Sequence, residues 1–174
     1  MLYLDFILIP IDYIRTSKLR VFIFEWIIPS IICFLIYLSL YKGAVSYNFE
    51  DYINKIISLE GILVGFSIAS ITFLTTASNR NVELLKTHKT KYKIGLKELN
   101  LMDLILINFS FSLFTEILIL VVNLTAPILM IGFNLSFHSK IVLFSINVLF
   151  VLHNLFLNIR NLVDLYLALL KDDK

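Results

Sequence analysis

The chain has 174 residues, of which 59% are hydrophobic and only 16% are charged, and its net charge is +2. A soluble domain carries about 25% charged residues, so this composition, with a mean hydropathy of +0.87, excludes a water-exposed globular domain. It also excludes a disordered chain, which is poor in large apolar residues. The single cysteine, Cys33, excludes an intrachain disulfide and a cysteine-cluster metal site.

The first twenty residues, 1–20, are apolar but are interrupted by Asp5, Pro10 and Asp12. A membrane span here would place two carboxylates in lipid, which is costly. The segment therefore predicts a helix that lies in the membrane interface, with Tyr3 and Tyr13 at headgroup depth. A frayed chain end is the alternative interpretation.

Four later stretches are long and apolar enough to cross a bilayer, whose core needs about 20 mostly apolar residues per helix. The predicted spans are 21–41, 56–78, 101–133 and 141–170. The last two exceed the bilayer thickness and must tilt, kink or project into water, and Pro29 and Pro127 predict kinks in the first and third. The predicted fold class is an all-α membrane protein, a single domain built as a four-transmembrane-helix bundle with an N-terminal interfacial helix.

Lys and Arg residues are distributed unequally between the two ends of these spans. Eleven fall on the side of both termini and the loop 79–100, whereas only Lys42, Lys55 and Lys140 fall on the other. Because positive residues near spans stay in the cytoplasm, we expect a bacterial inner (cytoplasmic) membrane protein with both termini cytoplasmic. Six basic residues in the loop predict contact with anionic lipid or a cytoplasmic partner, with no direct nucleic-acid binding: Arg80, Lys86, Lys89, Lys91, Lys93 and Lys97.

Polar residues inside the spans recur at helical spacing. Such groups face a partner helix or a water-filled cavity, because exposure to lipid is costly. In the fourth span one face carries Asn147, Asn154, Asn158 and Asn161, with His153, Arg160 and Asp164 beside it. In the third span a similar stripe is formed by Asn108, Ser112, Glu116 and Asn123.

Depth along the helices, at about 1.5 Å per residue, places Glu25 and Arg160 in the cytoplasmic half of the membrane. Glu60 and Glu116 fall in the outer half. We therefore expect a contact in the first pair and a shared site for the second, while Asp164 can pair with Arg160 along its helix. Three interpretations stay open: structural contacts that hold the bundle or an oligomer together; a hydrated ion or proton path lined by the two outer glutamates, the histidine and the asparagines; and a small-ligand pocket.

The second span carries small residues at every fourth position, Gly61, Gly65 and Ala69. Such a face lets helix backbones approach closely, so it predicts helix packing. No P-loop, serine-hydrolase or zinc motif is present, and the histidines lack metal-ligand spacing. We therefore expect a non-enzymatic protein, with no catalytic residue, metal or cofactor.

The stretch SLEGILVGFSIASITFLTTASNRNVELLK, residues 58–86, resembles small four-helix bacterial membrane proteins of anti-phage defence systems, such as the KwaA family of the Kiwa system. In these proteins a Gly- and Ser/Thr-rich second span runs straight into a basic cytoplasmic loop. The resemblance implies a membrane-embedded homo-oligomer that senses phage infection and works with a cytoplasmic DNA-binding subunit encoded in the same operon. The expected function is thus an oligomeric membrane component of a defence or stress system that docks a cytoplasmic partner. The alternative is an ion- or proton-conducting pore or growth-arresting membrane effector.

Overall fold

The structure, a computed structural model, describes residues 5–43, 48–78, 80–132 and 136–170. Four long helices make up most of these residues: α2 (Leu19–Tyr41), α3 (Phe49–Thr76), α5 (Leu101–Gly132) and α6 (Phe137–Leu170). The shorter elements are α1 (Leu8–Thr16), which follows a 3₁₀ turn at Asp5–Ile7, then α4 (Arg80–Thr87) and the strands β1 (Lys89–Ile94) and β2 (Lys97–Asn100).

Each of the four long helices is apolar and long enough to cross a membrane. Their outward faces carry exposed apolar side chains, for example Phe34, Ile62, Val121 and Ile146. In water such faces would form large apolar patches, whereas in a bilayer they contact lipid. The predicted all-α four-helix membrane bundle is therefore confirmed.

Side-chain caps set the helix boundaries, which differ from the predicted spans. Helix α3 begins seven residues before position 56, because the Asn48 side chain accepts hydrogen bonds from the backbone N–H groups of Glu50 and Asp51 at 3.1 and 3.3 Å. Helix α5 begins with a reciprocal cap, in which Asn100 and Asp103 each accept from the other's backbone N–H at 2.7 and 3.1 Å. Pro127 lies inside α5 without ending it.

The segment predicted as a basic loop is folded. After α4, strands β1 and β2 pair as an antiparallel hairpin whose turn contains Gly95 with a φ of +59°, in the left-handed region that favours glycine. Val82 and Leu99 are buried and anchor the segment to the bundle, where Val82 joins a cluster with Leu74 and Met102. We refer to residues 80–100 as the basic platform and to the end of the bundle that carries it as the basic end.

Helix α1 is too short to span a membrane, since nine residues cover about 14 Å. It packs against α5, while Ile11 and Ile14 remain exposed. The Tyr13 side chain does not face the headgroups, since it is 2% exposed and inserts between the helices, and its depth in the membrane stays a prediction. Its hydroxyl donates a hydrogen bond to a buried acceptor there. Tyr3 and the basic residues Lys171 and Lys174 lie outside the described residues.

The bundle core consists of two packed helix pairs, α3 with α5 and α2 with α6, and α5 also contacts α6. Near the basic end the core is apolar, with Leu74, Ile105 and Phe109 among its members. At the opposite end Leu40 and Phe144 belong to a second apolar cluster. Along α3, the buried polar residues Glu60 and Ser67 lie between Tyr52, which packs against the second cluster, and Leu74 of the first.

Candidate functional site

The polar stripes of the spans face one another inside a single chain. Among the buried polar residues, three are glutamates of three different helices: Glu25 of α2, Glu60 of α3 and Glu116 of α5, each with no exposed surface. Because intrachain helices already shield these groups, the polar stripes alone do not require a second subunit. The groups divide into two centres.

The ion-pair centre consists of Tyr13, Glu25, His153 and Arg160. Arg160 Nη1 lies 2.7 Å from Glu25 Oε1, so the contact predicted from membrane depth is present. We describe this contact as an ion pair, since Glu25 Oε1 has no hydrogen-bond partner among the described residues. The Tyr13 hydroxyl donates a hydrogen bond to the other carboxylate oxygen, Glu25 Oε2. Burial, and then the neighbouring carboxylate, raise the pKa of the Tyr13 phenol, which therefore stays protonated and can donate.

An irregularity in α2 explains how His153 joins this centre. Residues Ile23–Ile27 form a π-helical turn, and residue 29 is a proline without an N–H, so the Glu25 carbonyl lacks its usual donor four residues on. His153 Nδ1 lies 2.8 Å from that carbonyl oxygen and must carry the ring proton. The imidazole stacks on Trp26 with ring centroids 3.9 Å apart. Its Nε2 has no hydrogen-bond partner among the described residues.

Helix α5 closes the ion-pair centre on its other side. The Tyr13 ring stacks on Phe111 at a centroid distance of 3.8 Å, and the Arg160 guanidinium lies 5.6 Å from the Tyr13 ring centroid. One turn along α6, the Asp164 side chain lies near Asn108 of α5 and near Arg160. The cation thus pairs across helices with Glu25 rather than along its own helix.

The carboxylate centre consists of Glu60 and Glu116 with Ser67, Ser112, Asn154 and Asn158. Three donors converge on Glu116 Oε1, namely Ser67 Oγ at 2.8 Å, Ser112 Oγ at 3.0 Å and Asn158 Nδ2 at 2.9 Å. The opposite carboxylate is bound through a single donor, since Asn154 Nδ2 lies 2.7 Å from Glu60 Oε2. The two glutamates therefore share one site between α3, α5 and α6, as expected from their depth.

Two asparagines connect the halves of the carboxylate centre. Asn154 Oδ1 accepts from Thr115 Oγ1 at 3.2 Å and from Asn158 Nδ2 at 3.3 Å. Each amide thus donates to a carboxylate while also taking part in a bond with its neighbour. Thr115 is not among the residues predicted above from helical spacing, although its position three residues after Ser112 places it next to the polar stripe.

The two remaining asparagines of the α6 face lie outside both centres. Asn147 accepts a hydrogen bond from the Tyr52 hydroxyl at 2.9 Å and donates to Asn123 Oδ1 at 3.3 Å. Asn161 is fully buried, and neither polar atom of its side chain has a hydrogen-bond partner within the described ranges.

Two expectations from the sequence need correction. His153 does not join Glu60 and Glu116, because position 153 turns toward α2 whereas Asn154 turns toward α3. The small-residue face does not pack inside the chain either: Gly61, Gly65 and Ala69 are exposed, and a Cβ added at either glycine would meet nothing within 4 Å. Spacing defines a helix face but not its partner, and α3 buries the face with Ile56, Glu60 and Ser67 instead.

The basic platform carries part of its charge in ion pairs. Glu98 binds Lys89 and Lys93 with N–O distances of 3.4 and 3.0 Å, and Lys97 binds Asp103 at 3.0 Å. The Lys91 ammonium lies 5.7 Å from the centroid of the adjacent Tyr92 ring. Lys86, in the last turn of α4, is exposed.

Four apolar spanning helices that enclose buried ionisable groups define a polytopic α-helical membrane protein. No protein-family model, curated protein or solved structure matches the chain.

Proposed function

We propose that the chain is a non-enzymatic membrane component of a bacterial defence or stress system and that it acts through a protein partner docked on the basic platform. The observation that carries this proposal is the platform itself, an ordered surface outside the spans. Residues 80–100 contain six basic and two acidic residues, a net charge of +4. A partner with an acidic surface would be steered to it and oriented by electrostatic complementarity.

The construction of the platform supports docking. Exposed residues alternate with partly buried ones along β1, so that Lys89, Lys91 and Lys93 point away from the bundle while Tyr92 and Ile94 point toward it. Because Val82 and Leu99 are buried, the strand has a fixed position relative to the membrane helices. A rearrangement of the spanning helices would therefore move the platform, as the proposed role requires.

The proposal places the platform in the cytoplasm, following the distribution of eleven basic residues against three. Orientation can be tested with cysteines introduced at exposed lysines, since the single native cysteine, Cys33, is buried. In intact cells an impermeant maleimide should label Lys55→Cys and leave Lys91→Cys unlabelled. The reverse pattern would invert the topology and remove the platform from the cytoplasm.

Docking is tested by co-expressing the full chain with its neighbouring genes and purifying it in detergent. The variant Lys86→Glu/Lys91→Glu reverses two platform charges and leaves the ion pairs of Glu98 intact. Its matched control, Lys42→Glu/Lys140→Glu, reverses two lysines at the opposite end of the bundle. A partner encoded by a neighbouring gene should be retained by the wild type and the control and lost from the platform variant.

Two outcomes contradict the proposal. A partner that stays bound to the platform variant docks elsewhere. If no protein is retained and the same variant loses affinity for vesicles of anionic lipid, the platform binds lipid headgroups of the membrane instead of a protein. Homo-oligomerisation, which the resemblance implies, is measured in the same preparation from the mass of the detergent complex.

A further inference from the structure

The two centres of the bundle differ in how their negative charge is balanced. In the ion-pair centre the Glu25 carboxylate has a cation, Arg160, at 2.7 Å and a hydroxyl donor, Tyr13. In the carboxylate centre the partners of Glu60 and Glu116 are hydroxyl and amide groups only, among the residues that the structure describes. The second centre therefore holds two acidic groups without a basic residue.

The unpaired atoms of the carboxylate centre are all acceptors. Glu60 Oε1 and Glu116 Oε2 have no hydrogen-bond partner in the described chain, and neither does Asn158 Oδ1. Asn158 is 6% exposed, and its amide nitrogen is bonded to Glu116, so its oxygen also lies at this centre. Three buried oxygens without donors can accept a proton or coordinate a cation, because a buried acceptor needs a partner.

Electrostatics leads to the same conclusion. Glu60 and Glu116 are connected through the bonded pair Asn154 and Asn158, and both are fully buried in a part of the molecule that lies within the spans. Ionised groups at this depth persist only when they are paired or coordinated. The hydroxyl and amide donors satisfy one oxygen of each carboxylate but supply no positive charge.

We propose that the carboxylate centre binds one exchangeable positive charge, a proton or a monovalent metal cation, with Glu60 Oε1, Glu116 Oε2 and Asn158 Oδ1 as the available acceptors. Oxygen ligands of this kind, carboxylate together with amide carbonyl, can replace the hydration shell of such a cation. A divalent transition metal fits less well, because no three His, Cys, Asp or Glu side chains of the described residues are placed so that they could hold one together. This inference stands apart from docking at the basic platform, and either can fail alone.

The test uses the full chain in detergent and follows its thermal midpoint in a series of Na⁺, K⁺ and pH conditions. A ligand that binds only the folded state raises the midpoint with its concentration, and each tenfold increase above the dissociation constant should add about 3–5 °C for a chain of this size. Dependence on Na⁺ or K⁺ at constant pH identifies a metal cation. Dependence on pH alone identifies a proton.

Matched variants assign the effect to the site. Glu60→Gln and Glu116→Gln each remove one negative charge and should abolish the dependence, whereas Glu50→Gln, at an exposed residue of the same helix as Glu60, should keep it. The other titratable groups near Glu60 are Tyr52 of α3 and, beside that tyrosine, Cys33 of α2. Tyr52→Phe should therefore also keep the dependence.

A midpoint that ignores Na⁺, K⁺ and pH would overturn the proposal. So would a dependence that persists in both glutamine variants. If one of them does not fold, the proposal is tested by labelling the wild type with a hydrophobic carbodiimide. This reagent reacts with protonated carboxyl groups in apolar surroundings. Glu60 or Glu116 should be modified in a manner that pH or Na⁺ suppresses, and Glu25 should not be modified.

Discussion

Removal of Arg160 should destabilise the protein far more than removal of an exposed cation. In Arg160→Met the Glu25 carboxylate stays fully buried with Tyr13 as its only donor. Breaking one side of a buried ion pair costs about 3–5 kcal/mol, mostly the cost of the charge that is left behind. For a chain of this length that lowers the thermal midpoint by about 6–20 °C. Glu25→Gln should cost less than Arg160→Met, because the Arg160 side chain is 16% exposed and keeps some access to water.

The assay is thermal unfolding of the purified chain in detergent, followed by the fluorescence of Trp26. This residue is the sole tryptophan and stacks on His153 at the ion-pair centre. Lys55→Met serves as the control, since it breaks the Asp51–Lys55 pair, whose lysine side chain is 74% exposed at a contact distance of 2.6 Å. Exposed pairs of this kind contribute little, so the control should unfold like the wild type.

The double variant Glu25→Gln/Arg160→Met decides whether the two residues act as a unit. Loss of both charges leaves neither one uncompensated, so the double variant should be more stable than the sum of the single effects predicts. Strictly additive effects, or an Arg160→Met midpoint equal to that of the control, would refute the account of the ion-pair centre given above.

Three further predictions concern other surfaces. Gly65→Leu should leave the stability of the monomer unchanged, because the added side chain meets open space. If this variant reduces the mass of the detergent complex, the face of α3 that carries Gly65 forms a subunit contact. Hydrogen bonds from its two lysine partners hold the pKa of Glu98 below its usual range. Because the pKa of Glu98 is lower in the folded chain, its ion pairs stabilise the hairpin fully at a pH above the unfolded pKa of about 4.3, and this stabilisation is lost as the pH falls through the folded pKa. The NMR shifts of β1 should therefore be constant at neutral pH and change only below about pH 4. If the chain conducts, its expression should depolarise cells and Glu116→Gln should alter that effect; an unchanged membrane potential would remove the conduction alternative.

Hydropathy was enough to predict the four spans, because lipid imposes length and composition directly on the sequence. Depth along a spanning helix was equally informative: Glu25 and Arg160 are 135 positions apart in the chain, yet both lie in the same half of the bundle and form a contact. A bundle aligns residues by depth, so charged groups of opposite sign at one depth have few other partners.

Features that depend on the partner of a helix face could not be predicted in the same way. The periodicity of Gly61 and Gly65 defines a stripe on α3 but does not say whether α5 or lipid covers it. Tyr13 looked like an interfacial aromatic because its acceptor, Glu25, belongs to another helix. The hairpin did leave a local signal, the alternation of Thr90, Tyr92 and Ile94 with lysines before a glycine, which the strong basic character of the segment obscured.

Helix α6 is the element that links the two centres. It contributes His153 and Arg160 to the ion-pair centre and Asn154 and Asn158 to the carboxylate centre, and no other described helix supplies polar side chains to both. Loss of the positive charge proposed at the carboxylate centre would leave two buried carboxylates uncompensated next to these asparagines. Because α6 carries Arg160 on an adjacent face, a shift of this helix would also move Arg160 relative to Glu25. A change in the occupancy of the carboxylate centre would thus affect the Arg160–Glu25 contact. Glu25 also accepts the hydrogen bond that holds Tyr13, and with it α1, against the bundle.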